Sequence, residues 1–239
     1  PAPRILRAMQ VLGAELHHLY GLTETYGPAT IAAVQPGWDE LSFEEQALKK
    51  SRQGVPVTTS HVGVRVVDEK MNDVPSDAET IGEVAIRGNT VMAGYYRDPE
   101  ATRRSSKGGW FHTGDLAVVH SDGYIELKDR KKDVIISGGE NISSVEVEKT
   151  LMEHPAVLET CVVGVPDEKW GEAPKAFVEL REGYGVEGQE IIEFCRERMA
   201  HFKVPREVEF GVLPKTATGK IQKYLIRERE WSGHDRRIG

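Results

Sequence analysis

The chain has 239 residues, 39% hydrophobic and 29% charged, with 31 Lys and Arg against 38 Asp and Glu for a formal net charge of -7. That length carries one large or two modest domains with a real core. The acidic balance and a pI near 5.7 argue against nucleic acid or an anionic membrane as the main partner, since both favour a basic face. No apolar run is long enough to span a bilayer and no signal-peptide pattern opens the chain, so the expected compartment is the cytoplasm. Cys161 and Cys195 match no metal-ligand spacing and read as buried small hydrophobes in a reducing environment. His17 and His18 are adjacent, share no helix or strand face, and make no zinc pair. There is no initiating Met, and Pro1-Ala2-Pro3 runs straight into a helical pattern. The expectation is a fragment that begins inside a domain.

In chain order, Ile5, Met9 and Leu12 recur at helical spacing, with Gly13 placed to stop the helix. A short strand is expected over 15–19, delivering Tyr20-Gly21-Leu22-Thr23-Glu24-Thr25. A glycine that admits close backbone approach, a hydroxyl and a carboxylate suit a phosphate with its Mg²⁺; they suit a polar turn equally. The polar stretch 37–52 reads as a surface insertion, with a short helix over 43–50 capped by Ser42. Alternating runs at 62–67 and 82–88 predict two strands of a small β-subdomain, and Asp98-Pro99 marks a helix start.

Residues 110–141 predict strand, turn, strand, a charged run and a third strand that ends at Ser137-Gly138-Gly139. Asp115 sits on a Thr-Gly-Asp turn, where a carboxylate accepts two hydrogen bonds at once, as from a ribose diol. Arg130 ends the next strand and brings a planar donor fork to the same end of the sheet. The pair fits a grip on a nucleotide sugar; on residue type alone it also fits a solvated turn carboxylate and an edge arginine. Beyond it, a helix over 143–152, strands at 158–165 and 175–180, a helix carrying Ile191, Cys195, Met199 and Phe202 on one face, and a strand over 208–212 make a compact α+β unit of under a hundred residues. Leu213 to Lys220 forms a loop bracketed by Pro214 and Gly219. Its Gly-Lys pair is no Walker A motif, because no glycine precedes at the required spacing and Ile221 follows. The tail from Glu228 is charged and expected to fray.

The motifs TGDL at 113–116, GYIELKDRKKDVIISGGENIS at 123–143 and PKTATGKIQK at 214–223 resemble, in order, three core motifs of the adenylate-forming (AMP-binding) superfamily of acyl-CoA synthetases, luciferases and adenylation domains. YGLTE at 20–24 and the Gly94-Tyr95-Tyr96 segment resemble further family motifs. The resemblance covers essentially the whole chain but only the second half of such an enzyme. It implies an α/β fold: the C-terminal portion of a large AMP-binding domain with a β-rich subdomain over 1–131, then a small mobile α+β C-terminal domain over 132–239.

It also implies roles. Tyr20 lies against adenine with Gly21 beside it, Thr23 meets the α-phosphate, and Glu24 holds the metal. Asp115 and Arg130 bind the ribose, and Lys132 is the hinge. Gly138, Gly139, Glu140 and Asn141 line a pantetheine channel, Met92 and Gly94 come near the acyl chain, and Lys220 bridges substrate carboxylate and α-phosphate. The implied reaction joins a carboxylic acid, expected to be fatty, to coenzyme A through acyl-AMP, using ATP and Mg²⁺. Two rivals stay open at this point: a luciferase-like or carrier-loading enzyme, and a non-catalytic remnant. Some family members carry a basic residue within the loop that here reads Ser-Gly-Gly-Glu. The phosphate loop of the family belongs upstream of Pro1, so this piece alone is expected to be inactive.

Overall fold

The computed structural model describes residues 3–57 and 62–234, and the chain divides into two compact units, 1–131 and 132–239. In the first unit, α1 (Pro3–Val11) lies along α2 (Phe43–Lys50). Gln10 Nε2 donates to Gln46 Oε1 at 2.8 Å, and Arg7 pairs with Glu44 at 2.9 Å. The buried residue of α1 is Leu6; Ile5 is half exposed and Leu12 falls beyond the helix. The apolar face therefore sits one residue away from the spacing that Ile5 and Leu12 suggested. α2 opens with the expected cap, Ser42 and Glu45 exchanging side-chain and backbone hydrogen bonds, which satisfies two otherwise orphaned N–H groups.

Three strands, β1 (Leu19–Leu22), β2 (Gly27–Ile31) and β3 (Val55–Pro56), form one antiparallel sheet in sequence order. The strand expected over 15–19 is displaced forward, because β2 pairs Leu19 with Ile31 and Tyr20 with Thr30 and so draws the Tyr-Gly-Leu sequence into the sheet. A four-stranded antiparallel meander follows: β4 (Gly63–Val67), β5 (Gly82–Arg87), β6 (Phe111–Val119) and β7 (Ile125–Arg130). The two sheets share one core, to which Tyr20 and Ala29 contribute from the first and Val66, Val84, Ile86, Ala117 and Ile125 from the second. Each large aliphatic side chain buried this way stabilises the fold by about 1.5–3 kcal/mol. The 37–52 stretch is more than a surface insertion, since Trp38 and Ala47 are buried and the Trp38 ring packs 5.4 Å from that of Tyr124. Between β5 and β6, α3 (Pro99–Ser105) begins where expected, Asp98 accepting the Ala101 N–H at 2.8 Å with Pro99 at the first helical position.

The second unit is a five-stranded sheet with helices on both faces. A hairpin of β8 (Ile135–Ser137) and β9 (Glu140–Ile142) leads into α4 (Ser144–Leu151), capped by Ser143. A long hairpin, β10 (Val157–Asp167) and β11 (Gly171–Leu180), makes the centre, and β12 (Glu207–Phe210) adds parallel to β11. Alternation along the central hairpin sorts its side chains. Val162, Ala176 and Val178 join Val147, Leu151, Ile191 and Cys195 in one core, under α4 and α5 (Gly188–Arg196). Cys161, Val163 and Phe177 join Leu213 and Ile226 in a second core, under α6 (Lys223–Glu230).

Two expectations fail here. α5 stops at Arg196, so Met199 packs against the core from beyond the helix and Phe202 is 45% exposed. The tail does not fray at Glu228, because α6 runs through Glu230 and Trp231 Nε1 donates to the Gly164 carbonyl at 2.8 Å; residues 235–239 of that tail lie outside the described residues. Both cysteines are free and buried. Among the described residues no helix is long and apolar enough to cross a membrane.

Candidate active site

In the first unit the topology brings the Tyr20 and Asp115 motifs together. Pairing of β6 with β7 sets Asp115 directly opposite Arg130, and the guanidinium Nε lies 3.3 Å from Asp115 Oδ1. The other carboxylate oxygen accepts the Tyr20 hydroxyl at 2.7 Å, across 95 residues of sequence. Asp115 is 6% exposed and Tyr20 8%, while more than half of the Arg130 side chain stays in solvent. Burial, then the Asp115 charge and its hydrogen bond, raise the Tyr20 phenol far above its ordinary range.

Thr113, Gly114 and Asp115 lie inside β6 rather than on the turn expected of them, because pairing with β7 carries the strand through them, with Gly114 in a left-handed backbone, φ 73°. Glu83 of β5 supports this irregular stretch. Glu83 Oε1 accepts the Gly114 N–H at 3.0 Å, and its other oxygen meets His112 Nδ1 at 3.2 Å. Thr113 Oγ1 donates to the Val84 carbonyl at 2.9 Å, and Lys131 N–H donates to the Gly114 carbonyl at 2.8 Å. Neither the motif nor its spacing points to Glu83, which strand pairing alone delivers.

Thr23 and Glu24 open a single 3-10 turn immediately after β1. Thr23 is exposed. Glu24 Oε1 accepts the Tyr95 hydroxyl at 3.1 Å, and its backbone carbonyl accepts the Met92 N–H at 2.8 Å. Met92 is thus tied to this turn, and Tyr95, which the sequence marked only as part of a family-like segment, joins it through Glu24. Partial burial and the Glu24 carboxylate beside it push the Tyr95 phenol up. Gly21 has a folding reason for its identity, because a Cβ there would stand 2.1 Å from the Gly27 carbonyl oxygen.

In the second unit, Gly138 and Gly139 are the two central residues of the β8–β9 hairpin. Their φ values of 61° and 89° define the left-handed two-residue turn that such hairpins favour. A Cβ on Gly138 would meet the Trp170 ring at 2.5 Å, whereas Gly139 faces open space. Gly138 N–H also donates to the Trp170 carbonyl at 2.9 Å. Glu140 pairs with Ser137 across the turn and is exposed, as is Asn141. Trp170 was not singled out by the sequence, although an aromatic at a hairpin end is a visible signal.

Lys132 is exposed, with its carbonyl accepting from Arg227 Nη1 at 3.0 Å; the same guanidinium pairs with Asp133. Lys220 closes a tight turn, in which Thr216 N–H donates to the Lys220 carbonyl at 2.8 Å and Lys220 N–H to Thr216 Oγ1 at 3.1 Å. Among the described residues its ammonium makes no ion pair.

Residues 1–96 match the family model described as AMP-binding enzyme, and residues 146–220 match that described as AMP-binding enzyme C-terminal domain. The chain belongs to the family of AMP-binding enzymes. It is 54% identical over 227 residues to 4-hydroxybutyrate–CoA ligase 2 of Metallosphaera sedula, an alignment covering 95% of this chain and 41% of that protein. To the peroxisomal acetate/butyrate–CoA ligase AAE7 of Arabidopsis thaliana it is 52% identical over 235 residues, 96% of this chain and 41% of that one. Among solved structures, o-succinylbenzoate CoA synthetase (MenE) of Bacillus subtilis in complex with the acyl-adenylate intermediate OSB-AMP superposes with a TM-score of 0.80 at 30% identity, covering 94% of this chain and 43% of that one. The chain thus spans about two-fifths of the length of the curated relatives it matches.

Proposed function

We propose that this chain forms part of a cytoplasmic acid–thiol ligase that converts a carboxylic acid to its acyl-CoA through an acyl-adenylate. The observation that carries the reading is the cluster of Asp115, Arg130 and Tyr20. A buried carboxylate fixed by two donors, with an exposed guanidinium beside it, suits the hydroxyls of a nucleotide sugar. Thr23 then faces the α-phosphate. Glu24 supplies one carboxylate oxygen to a magnesium ion otherwise held by phosphates and water, the donor set that such an ion prefers.

In the first step a carboxylate oxygen attacks the α-phosphorus, the bond to the pyrophosphate oxygen breaks, and pyrophosphate leaves. The Lys220 ammonium stabilises the charge that builds on the oxygens in between. In the second step the thiol sulfur of coenzyme A attacks the acyl carbon, the acyl–oxygen bond to AMP breaks, and the thiol proton passes to solvent. We assign the Gly138-Gly139 turn with Glu140 and Asn141 to the thiol arm, and rotation about Lys132 to the change between steps. The acid is inferred to be fatty. The relatives named for acetate, butyrate and 4-hydroxybutyrate favour its short-chain end.

The test is AMP release by the full-length protein carrying this chain, with a panel of short, long and aromatic acids, with and without coenzyme A. Release that needs both acid and coenzyme A, and collapses in Lys220→Ala, is the expected result. Release independent of coenzyme A points to a luciferase-like or carrier-loading branch, and no acid-dependent release at all sinks the reading.

A further inference from the structure

Three lysines fall within nine residues at the end of the second unit, and the structure treats them differently. Lys215 pairs with Glu159, and with Glu179 at 3.3 Å. Lys223 lies 2.7 Å from Glu148 Oε1 and donates to Ser144 Oγ at 2.7 Å. Between them, the Lys220 ammonium has no ion-pair partner among the described residues. The two paired lysines are the feet of the turn that carries the third. Lys215 bridges to Ile221 across the stem, and Gln222 N–H donates to the Pro214 carbonyl at 2.8 Å. Leu213 is buried and Ile221 packs on the core beneath α6.

The carboxylates that hold these feet are themselves fastened to the central sheet. Glu148 Oε1 also accepts the Val162 N–H of β10 at 2.7 Å, and Glu179, on β11, accepts the Leu213 N–H at 3.3 Å. Glu148 and Lys223 are each less than one-fifth exposed, so their pairing is screened less than a surface ion pair. Closed by its own hydrogen bonds and anchored at both feet, the turn presents Lys220 from a fixed stem.

We infer that Glu148 and Glu179 are positioning residues for Lys220, setting the ammonium for acyl-adenylate formation by clamping Lys223 and Lys215. The inference rests on the ligase reading above. A misplacement of about 1 Å in a positioned group costs on the order of a hundredfold in rate, so partial loosening is expected to cost about tenfold.

The experiment uses the full-length protein and separates the half-reactions. Carboxylate-dependent exchange of pyrophosphate into ATP reports the first, and conversion of supplied acyl-adenylate to acyl-CoA reports the second. Glu148→Gln and Glu179→Gln keep acceptors for the backbone N–H groups and remove the charge. They are expected to lower exchange about tenfold while leaving the thiol step within about twofold. If a Gln variant does not fold, Lys223→Arg and Lys223→Met decide: Arg keeps the pair and retains exchange, Met loses it. Equal losses in both half-reactions mean a merely structural role and overturn the inference, as does unchanged exchange. Absence of exchange in the wild-type protein overturns the ligase reading itself, a result distinct from normal exchange in the variants.

Discussion

Asp115, inside β6, and Lys220, on a turn, are both charged candidate residues, and the fold treats them differently. Asp115 is 6% exposed, with its two oxygens engaged by Tyr20 and Arg130 and its backbone shaped by the Thr113 and Glu83 hydrogen bonds. Lys220 stands in solvent on a turn closed by Thr216, its ammonium unpaired among the described residues and the stem of its turn fixed through Lys215 and Lys223. A group that binds gains from being fixed before the ligand arrives, because ordering has then already occurred on folding. On the proposed mechanism, a group that acts only in one of two steps must stay free of partners it would have to leave. The comparison predicts that stability and activity respond in opposite order at the two places.

The largest effect is expected on activity from Lys220→Ala. Removing one preorganised electrostatic contact of this kind costs roughly a hundred- to a thousandfold in the step it serves. Exchange in the full-length protein should fall by about that much, and the thermal midpoint should not move, since the side chain is exposed and its ammonium makes no ion pair among the described residues. A midpoint lowered along with activity would break the contrast. Next is Asp115→Ala, which leaves the buried Tyr20 hydroxyl without its acceptor. We expect a loss of about 1–3 kcal/mol in chemical denaturation of the chain, together with a raised KM for ATP in the full-length protein. Loss of ATP affinity without loss of stability would mean that Asp115 is not part of the frame.

The glycine turn gives a finer contrast within one hairpin. Gly138→Ala meets both a left-handed backbone and the Trp170 ring, and should destabilise the chain by roughly 1–3 kcal/mol. Gly139→Ala meets only the backbone term, about 1 kcal/mol, because the space beyond it is open. Equal effects would remove Trp170 as the reason for Gly138.

Much of this was legible in the sequence, and the boundary falls where local rules end. Ser42 and Asp98 declared the starts of their helices, because a cap is read from a few adjacent residues. The hairpin around Gly123 was equally visible, since turn chemistry is local; Gly138-Gly139 was read only as the end of a strand, and β9, which makes it a hairpin turn, was not expected. Strand β2 was not seen: Gly27–Ile31 has no alternation of its own and becomes a strand by pairing with β1. The same reason hid Glu83, Tyr95 and Trp170, whose contacts with Gly114, Glu24 and Gly138 join residues 31, 71 and 32 positions apart. α5 was read too long because Met199 continues its apolar spacing, yet Met199 reaches the core from an irregular segment and Phe202 turns outward. Motifs marked the candidate residues; strand pairing revealed their supports.

The effect of Tyr20→Phe is comparable in size to those of the glycine turn, and its pH dependence is the sharper measurement. The substitution removes one buried hydrogen bond to a carboxylate and should cost about 1–2 kcal/mol near neutral pH. Because burial and the Asp115 charge raise the folded-state phenol above its ordinary value, the folded chain keeps this proton where the unfolded chain gives it up. The stabilisation is therefore fully present below about pH 10, the ordinary phenol value, and declines as pH rises beyond it. Denaturation midpoints of wild type and Tyr20→Phe should differ by a constant amount from pH 7 to 9 and converge above 10. A difference that holds constant above pH 10, or widens there, would place the Tyr20 hydroxyl in solvent and remove it from the Asp115 frame.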